Sequence, residues 1–225
     1  MPNNVLVTGA NRGLGLAFAK LYAKRGDKVF ATVRNIHAAP YELKAVASVH
    51  ALEVTDDASI TRLVNELGGK PIDILVNNAG VMGDDPKLGA LSFTTFSRVF
   101  SANSFAPAIL TQALLPNLRA GNRKLVINIS SELGSIDHAT PGFSYAYNAS
   151  KAALNMISAR LAKDLSGDRI ICASFCPGWN KTDMGGDQAP LDPMQSIDSL
   201  IKVAESLTLA QSGGYYRIDG STIPW

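Results

Sequence analysis

Seven short runs of apolar, mostly β-branched residues recur along the chain, and they constrain the fold more than any other feature. They are "NVLVTG" at 4–9, "KVFATV" at 28–33, "SVHALEV" at 48–54, "IDILVN" at 72–77, "KLVINIS" at 124–130, "RIICASF" at 169–175 and "GGYYRI" at 213–218. Segments of helical period separate them, at 13–25, 56–67, 92–118, 146–165 and 193–207. A strand that is apolar without alternation has both faces covered, and strands alternating with helices are joined by crossovers. The pattern predicts α/β architecture: a single-domain, Rossmann-type, doubly wound parallel sheet of about seven strands with helices on both faces. With 225 residues, 46% hydrophobic and 18% charged, and no repeat or linker, one domain over 1–225 is expected. Such sheets bind ligands beyond the carboxyl ends of their strands.

The first of those ends carries "TGANRGLG", Thr8 to Gly15, directly before a helix. Gly9, Gly13 and Gly15 permit a tight turn and close backbone approach to a diphosphate at a helix N-terminus, which favours anionic oxygen. A dinucleotide is the expected ligand. Where an NAD-binding chain usually places a carboxylate, the second strand ends in Arg34, and Arg12 lies inside the glycine turn. Two guanidiniums suit a 2'-phosphate, so NADP(H) is favoured over NAD.

"SYAYNASKAALN", 144–155, places Tyr147 and Lys151 four residues apart on one helical face, whereas Tyr145 is six from the lysine and does not share it. Other chemistries find little support. The formal net charge is +2 and no run of five like charges occurs, so neither nucleic acid nor an anionic membrane is an expected partner. No leader or membrane-spanning stretch is evident, and a cytoplasmic protein is expected. Cys172 and Cys176 read as buried thiols, and His37, His50 and His138 lack ligand spacing, so no metal is expected.

"TGANRGLG" (8–15), "NNAG" (77–80), Asn103 in "FSANSFAP", "NISSELG" (128–134), "YNASK" (147–151) and "PGWNKT" (177–182) together resemble the short-chain dehydrogenase/reductase family, in its order and near its spacing. "QALLPNLRAG", "SELGSI", "KTDMGGDQAP" and "DGSTIPW" are similar to its branch of sniffer-type carbonyl reductases and C-factor. The resemblance implies a catalytic set of Asn103, Ser131, Tyr147 and Lys151, with Ser131 chosen over Ser130 because two residues and a glycine follow it. It implies a cofactor site from Gly9, Asn11, Arg12, Gly13, Leu14 and Gly15, then Arg34, Glu53 and Val54. Asn78, Ala79 and Gly80, Tyr147 and Lys151, and Pro177, Gly178, Asn180 and Thr182 complete it. Glu53 stands where the family usually has aspartate, and Asn180 at a position often apolar.

In these roles Tyr147 gives a proton to a carbonyl oxygen that Ser131 bonds, Lys151 favours the phenolate, and Asn103 holds a water between Lys151 and solvent. The expected function is hydride transfer between NADP(H) and a small carbonyl or alcohol substrate. An NADP(H)-binding regulator of the same fold and an NAD-linked alcohol dehydrogenase are the alternatives. Loops 81–93 and 184–197 are expected to wall the substrate pocket as a mobile lid, with Trp179 either an aromatic wall or a packed core residue. Association into a dimer or tetramer through the long helices is open.

Overall fold

The computed structural model describes residues 2–85 and 87–225. Seven parallel strands form one sheet: β1 (Asn4–Val7), β2 (Lys28–Val33), β3 (Ser48–Ala51), β4 (Ile74–Asn77), β5 (Leu125–Ile129), β6 (Ile171–Phe175) and β7 (Tyr215–Tyr216), in the spatial order β3-β2-β1-β4-β5-β6-β7. Pairing runs parallel throughout, for instance Val5 with Val29 on one side and Ile74 on the other. Chain order reverses between β1 and β4, which opens a crevice at their carboxyl ends.

The two-residue period of the strands sorts the core into two layers. Val5, Val7, Ile74, Val76 and Ile127 pack with Phe18 and Leu200 of helices α1 (Gly13–Lys24) and α7 (Pro193–Ser206). Leu6, Leu75 and Val126 point the other way, against Leu63 and Leu110 of α2 (Asp57–Leu67) and α4 (Ala106–Ala113). Each such side chain fully buried contributes roughly 1.5–3 kcal/mol before conformational entropy is counted. Strands therefore read as unbroken apolar runs because both faces are covered.

The segment expected as one helix over 92–118 is divided into α3 (Phe93–Phe100), a π-turn at Ser101–Phe105, α4 and α5 (Leu115–Ala120). Proline explains the breaks. Pro107 has no N–H to give the Asn103 carbonyl, and the Ala106 N–H reaches back five residues to Ser101 instead. Pro116 opens α5 in the same way. The last long helix of this half, α6 (Tyr145–Asp164), is continuous and lies against β6 and the π-turn.

Candidate active site

Every expected site residue lies on or just after the carboxyl edge of the sheet, or on a helix that reaches it. β1 runs into the glycine turn, and a Cβ on Gly15 would collide with the Gly9 carbonyl, so only glycine lets α1 start this close to the strand. Asn78, after β4, ties down that turn: its Nδ2 donates to the Thr8 carbonyl at 2.8 Å, while the Asn78 and Ala79 N–H groups donate to Thr8 Oγ1 at 2.9 and 3.0 Å. Helices α2, α3, α6 and α7 carry side-chain caps from Asp56, Ser92, Ser144 and Asp192, but the N-cap position of α1 is Arg12, with no capping bond and no acidic residue in its first turn. Its free N–H groups fit a bound diphosphate.

Arg12 and Arg34 are both exposed at neighbouring strand ends. Arg12 pairs with Asp183 at 2.6 Å, from the loop after β6. That same loop carries Thr182, whose methyl group abuts Gly13, and Asn180, whose Nδ2 donates to the Pro177 and Gly178 carbonyls while its Oδ1 is buried without a partner. Glu53 Oε1 is occupied by Thr55, from its N–H at 3.2 Å and its hydroxyl at 2.9 Å. Leu14 packs partly buried onto the core, and Val54 and Ala79 line a small cavity with Thr8.

Around Tyr147 the two adjacent serines separate. Ser130 is buried and its hydroxyl donates to Asn155 Oδ1 at 2.7 Å. Ser131 is less enclosed, accepts only the Leu133 N–H at 3.2 Å through its Oγ, and stands beside the Tyr147 phenol. Lys151 Nζ lies 5.5 Å from the centre of the Tyr147 ring and donates to the Ile129 carbonyl at 2.7 Å. Tyr145, by contrast, is 46% exposed. The Asn103 amide is fully engaged: Oδ1 accepts the Val81 N–H at 2.8 Å, and Nδ2 donates to the Val81 carbonyl at 2.9 Å and to Ser150 Oγ at 3.1 Å. Its side chain is thus a strut, and its backbone carbonyl has no i+4 donor because that position is Pro107.

Burial dominates the electrostatics. It pushes the Tyr147 phenol up to about 12, with the Ser131 hydroxyl pulling the other way, and pushes the Lys151 ammonium down to about 8. Desolvation of the ring is the larger effect in the protein alone, and the expected shift toward neutrality draws also on the charge of an oxidised nicotinamide beside the lysine. A protonated phenol at neutral pH is the form that can give a proton away.

Residues 3–191 match the family described as short chain dehydrogenase. The chain belongs to the short-chain dehydrogenase family. The carbonyl reductase Sniffer of D. melanogaster is similar over 100% of both chains, with a TM-score of 0.92 and 32% identity. An NADPH-bound carbonyl reductase from chicken fatty liver follows with a TM-score of 0.89 and 31% identity, over 100% of this chain and 99% of that one. Among curated proteins the C-signal of Myxococcus xanthus is 37% identical over 155 residues, 69% of this chain and 93% of its own. This short-chain dehydrogenase is accordingly an oxidoreductase-family chain with a nicotinamide-cofactor fold, and among its described residues no helix is long and apolar enough to cross a membrane.

Several residues around this short-chain dehydrogenase site carry no motif. The Tyr215 hydroxyl donates to the Ser131 carbonyl, and Trp225 stacks on Tyr215 at 5.7 Å. Cys176 Sγ accepts the Glu132 N–H at 3.2 Å and the Gly178 N–H at 3.4 Å, so the thiol expected to be merely buried holds both loops at the site. Trp179 is 56% exposed and its Nε1 donates to the Gly185 carbonyl, so it is not a packed core residue. The aromatic pair "YY" at 215–216 was legible as a strand, but nothing local marks which hydroxyl turns to the serine.

Proposed function

We propose that residues 1–225 act as one unit, an NADPH-dependent carbonyl reductase that interconverts a small carbonyl compound and its alcohol, with Tyr147 as proton donor. The observation that carries this reading is the meeting of Ser131, Tyr147 and Lys151 beside the crevice of a nicotinamide-cofactor fold. A bound reduced nicotinamide supplies the hydride. Ser131 Oγ, whose hydrogen is not committed to Asn155 as that of Ser130 is, donates to the carbonyl oxygen as negative charge develops there. Tyr147 Oη then transfers its proton to that oxygen, giving the alcohol and leaving a phenolate beside the Lys151 ammonium. The Asn103 carbonyl, denied its i+4 donor by Pro107, supports a role in holding a water that returns the proton by way of Lys151.

The uncapped start of α1 would hold the diphosphate, and Arg12 with Arg34 the 2'-phosphate. The NADPH named for the chicken reductase supports the same preference. The test is a panel of aldehydes, ketones and quinones, followed by loss of reduced-nicotinamide absorbance with NADPH and NADH in parallel. Tyr147→Phe is expected to bind NADPH within about threefold of the parent and to lose nearly all reduction, whereas Tyr145→Phe keeps most of it. Parental rates in Tyr147→Phe overturn the mechanism. They would favour the second reading, a cofactor-binding regulator, for which the likeness to C-signal speaks.

A further inference from the structure

Asp85 is a fully buried carboxylate in the loop after β4, and the reaction described above makes no use of it. Its partners are neutral donors at the amino end of α6. The Ser144 hydroxyl bonds Oδ1, and the Ala146 N–H donates to Oδ2 at 2.9 Å. Ser144 is in turn the N-cap of α6, accepting the Tyr147 N–H at 3.0 Å. The Tyr145 N–H adds a bond to the Asp85 carbonyl at 3.3 Å. Three consecutive backbone N–H groups, those of Tyr145, Ala146 and Tyr147, are thus satisfied by Asp85 or through the one hydroxyl it holds.

A carboxylate there also faces the positive end of a twenty-residue helix. The cradle is built closely: a Cβ on Gly83 would run into the Ser144 hydroxyl and Asp85 Oδ1. The preceding Asp84 grips the opposite neighbour, accepting Thr95 Oγ1 at 2.8 Å and Arg98 Nη2 at 3.3 Å on α3.

We infer that Asp85 is a positioning residue: it ties the loop after β4 to the first turn of α6 and thereby fixes Tyr147 against Ser131. The inference rests on the reading of Tyr147 as proton donor. Residues held by α6 farther along, Ser150 and Lys151, are secured separately by Asn103 and Ile129. Loss of Asp85 therefore frays the first turn and moves the phenol while the lysine stays.

The experiment compares Asp85→Ala, Asp85→Asn and Ser144→Ala with the parent. Asparagine can offer its carbonyl to the Ala146 N–H and, with the direction of the bond reversed, its amide hydrogen to Ser144 Oγ, which still accepts the Tyr147 N–H; both contacts are kept without the charge. Asp85→Ala is expected to lower kcat by about 10- to 100-fold, with the NADPH dissociation constant within about threefold of the parent. Exchange at the Ala146 and Tyr147 amides should rise by about tenfold or more. Ser144→Ala should follow the same pattern and serves if Asp85→Ala does not fold, while Asp85→Asn should stay within about threefold of the parent in each readout. An alanine variant with parental kcat and protected amides overturns the inference, as does an asparagine variant as damaged as alanine, or cofactor affinity falling in step with kcat. A parent that reduces no carbonyl would sink the mechanism instead, and amide exchange would still decide whether Asp85 holds Tyr147.

Discussion

Ser130 and Ser131 differ by one position along an extended backbone, so their side chains leave on opposite sides. One goes into the protein and bonds Asn155; the other faces Tyr147. Removing a hydrogen bond made only as charge develops on the substrate oxygen is expected to lower kcat by about a hundredfold or more, so Ser131→Ala should show that loss with cofactor binding nearly intact. Ser130→Ala should instead leave the buried Asn155 oxygen short of a donor and cost about 1–3 kcal/mol in urea unfolding, with a smaller effect on kcat. Equal kinetic damage from both would count against the assignment. The pairing of Tyr147 with Lys151 was readable because helical period decides which side chains meet, whereas the choice of Ser131 rested on the family resemblance, the serine being followed by two residues and a glycine. Asp85 and Tyr215 were not, because a loop and a two-residue strand have no period from which to read a partner.

At the scale of elements, the strand and helix positions were legible to within a few residues, since each apolar run is a strand covered on both faces. The long segment 92–118 was the exception. Its apolar spacing continues across Pro107 and Pro116, and periodicity does not register a missing N–H. That break falls at Asn103, whose side chain bonds the Val81 backbone and whose carbonyl loses its i+4 donor to Pro107. The start of α1 and the end of β2 carry complementary features: an uncapped helix N-terminus with Arg12 at its N-cap, and the exposed Arg34 after β2. If Arg34 selects the 2'-phosphate, Arg34→Asp should weaken NADPH binding and strengthen NADH binding, shifting the ratio of dissociation constants by about a hundredfold or more, as loss of a charge-assisted pair and gain of a carboxylate for the ribose hydroxyls imply. An unchanged ratio in equilibrium titration would remove Arg34 from the phosphate site.

For the whole molecule, the sequence indicated a doubly wound sheet but not the side on which β4 joins β1, because long-range strand order has no local signature; yet that reversal opens the crevice. The same closed core that positions the site also imposes a cost on it, since Lys151 is held in the interior with its pKa lowered to about 8 from 10.5 by burial. Between those two values the unfolded chain keeps a proton that the native protein has released, so stability from this group rises with pH across that window. Tyr147, raised from 10.0 to about 12, acts in the opposite sense above pH 10. Lys151→Met retains the stem's bulk and removes the titrating ammonium. Between pH 7 and pH 10 the parent should therefore gain about 2–3 kcal/mol relative to Lys151→Met, at roughly 1.4 kcal/mol for each pH unit beyond the native value. Urea unfolding of both proteins at the two pH values measures this double difference, in which losses common to both chains cancel. Parallel stability curves would show that Lys151 is not desolvated as its burial implies, and an ammonium in ready contact with water would be a weak support for a phenolate at Tyr147.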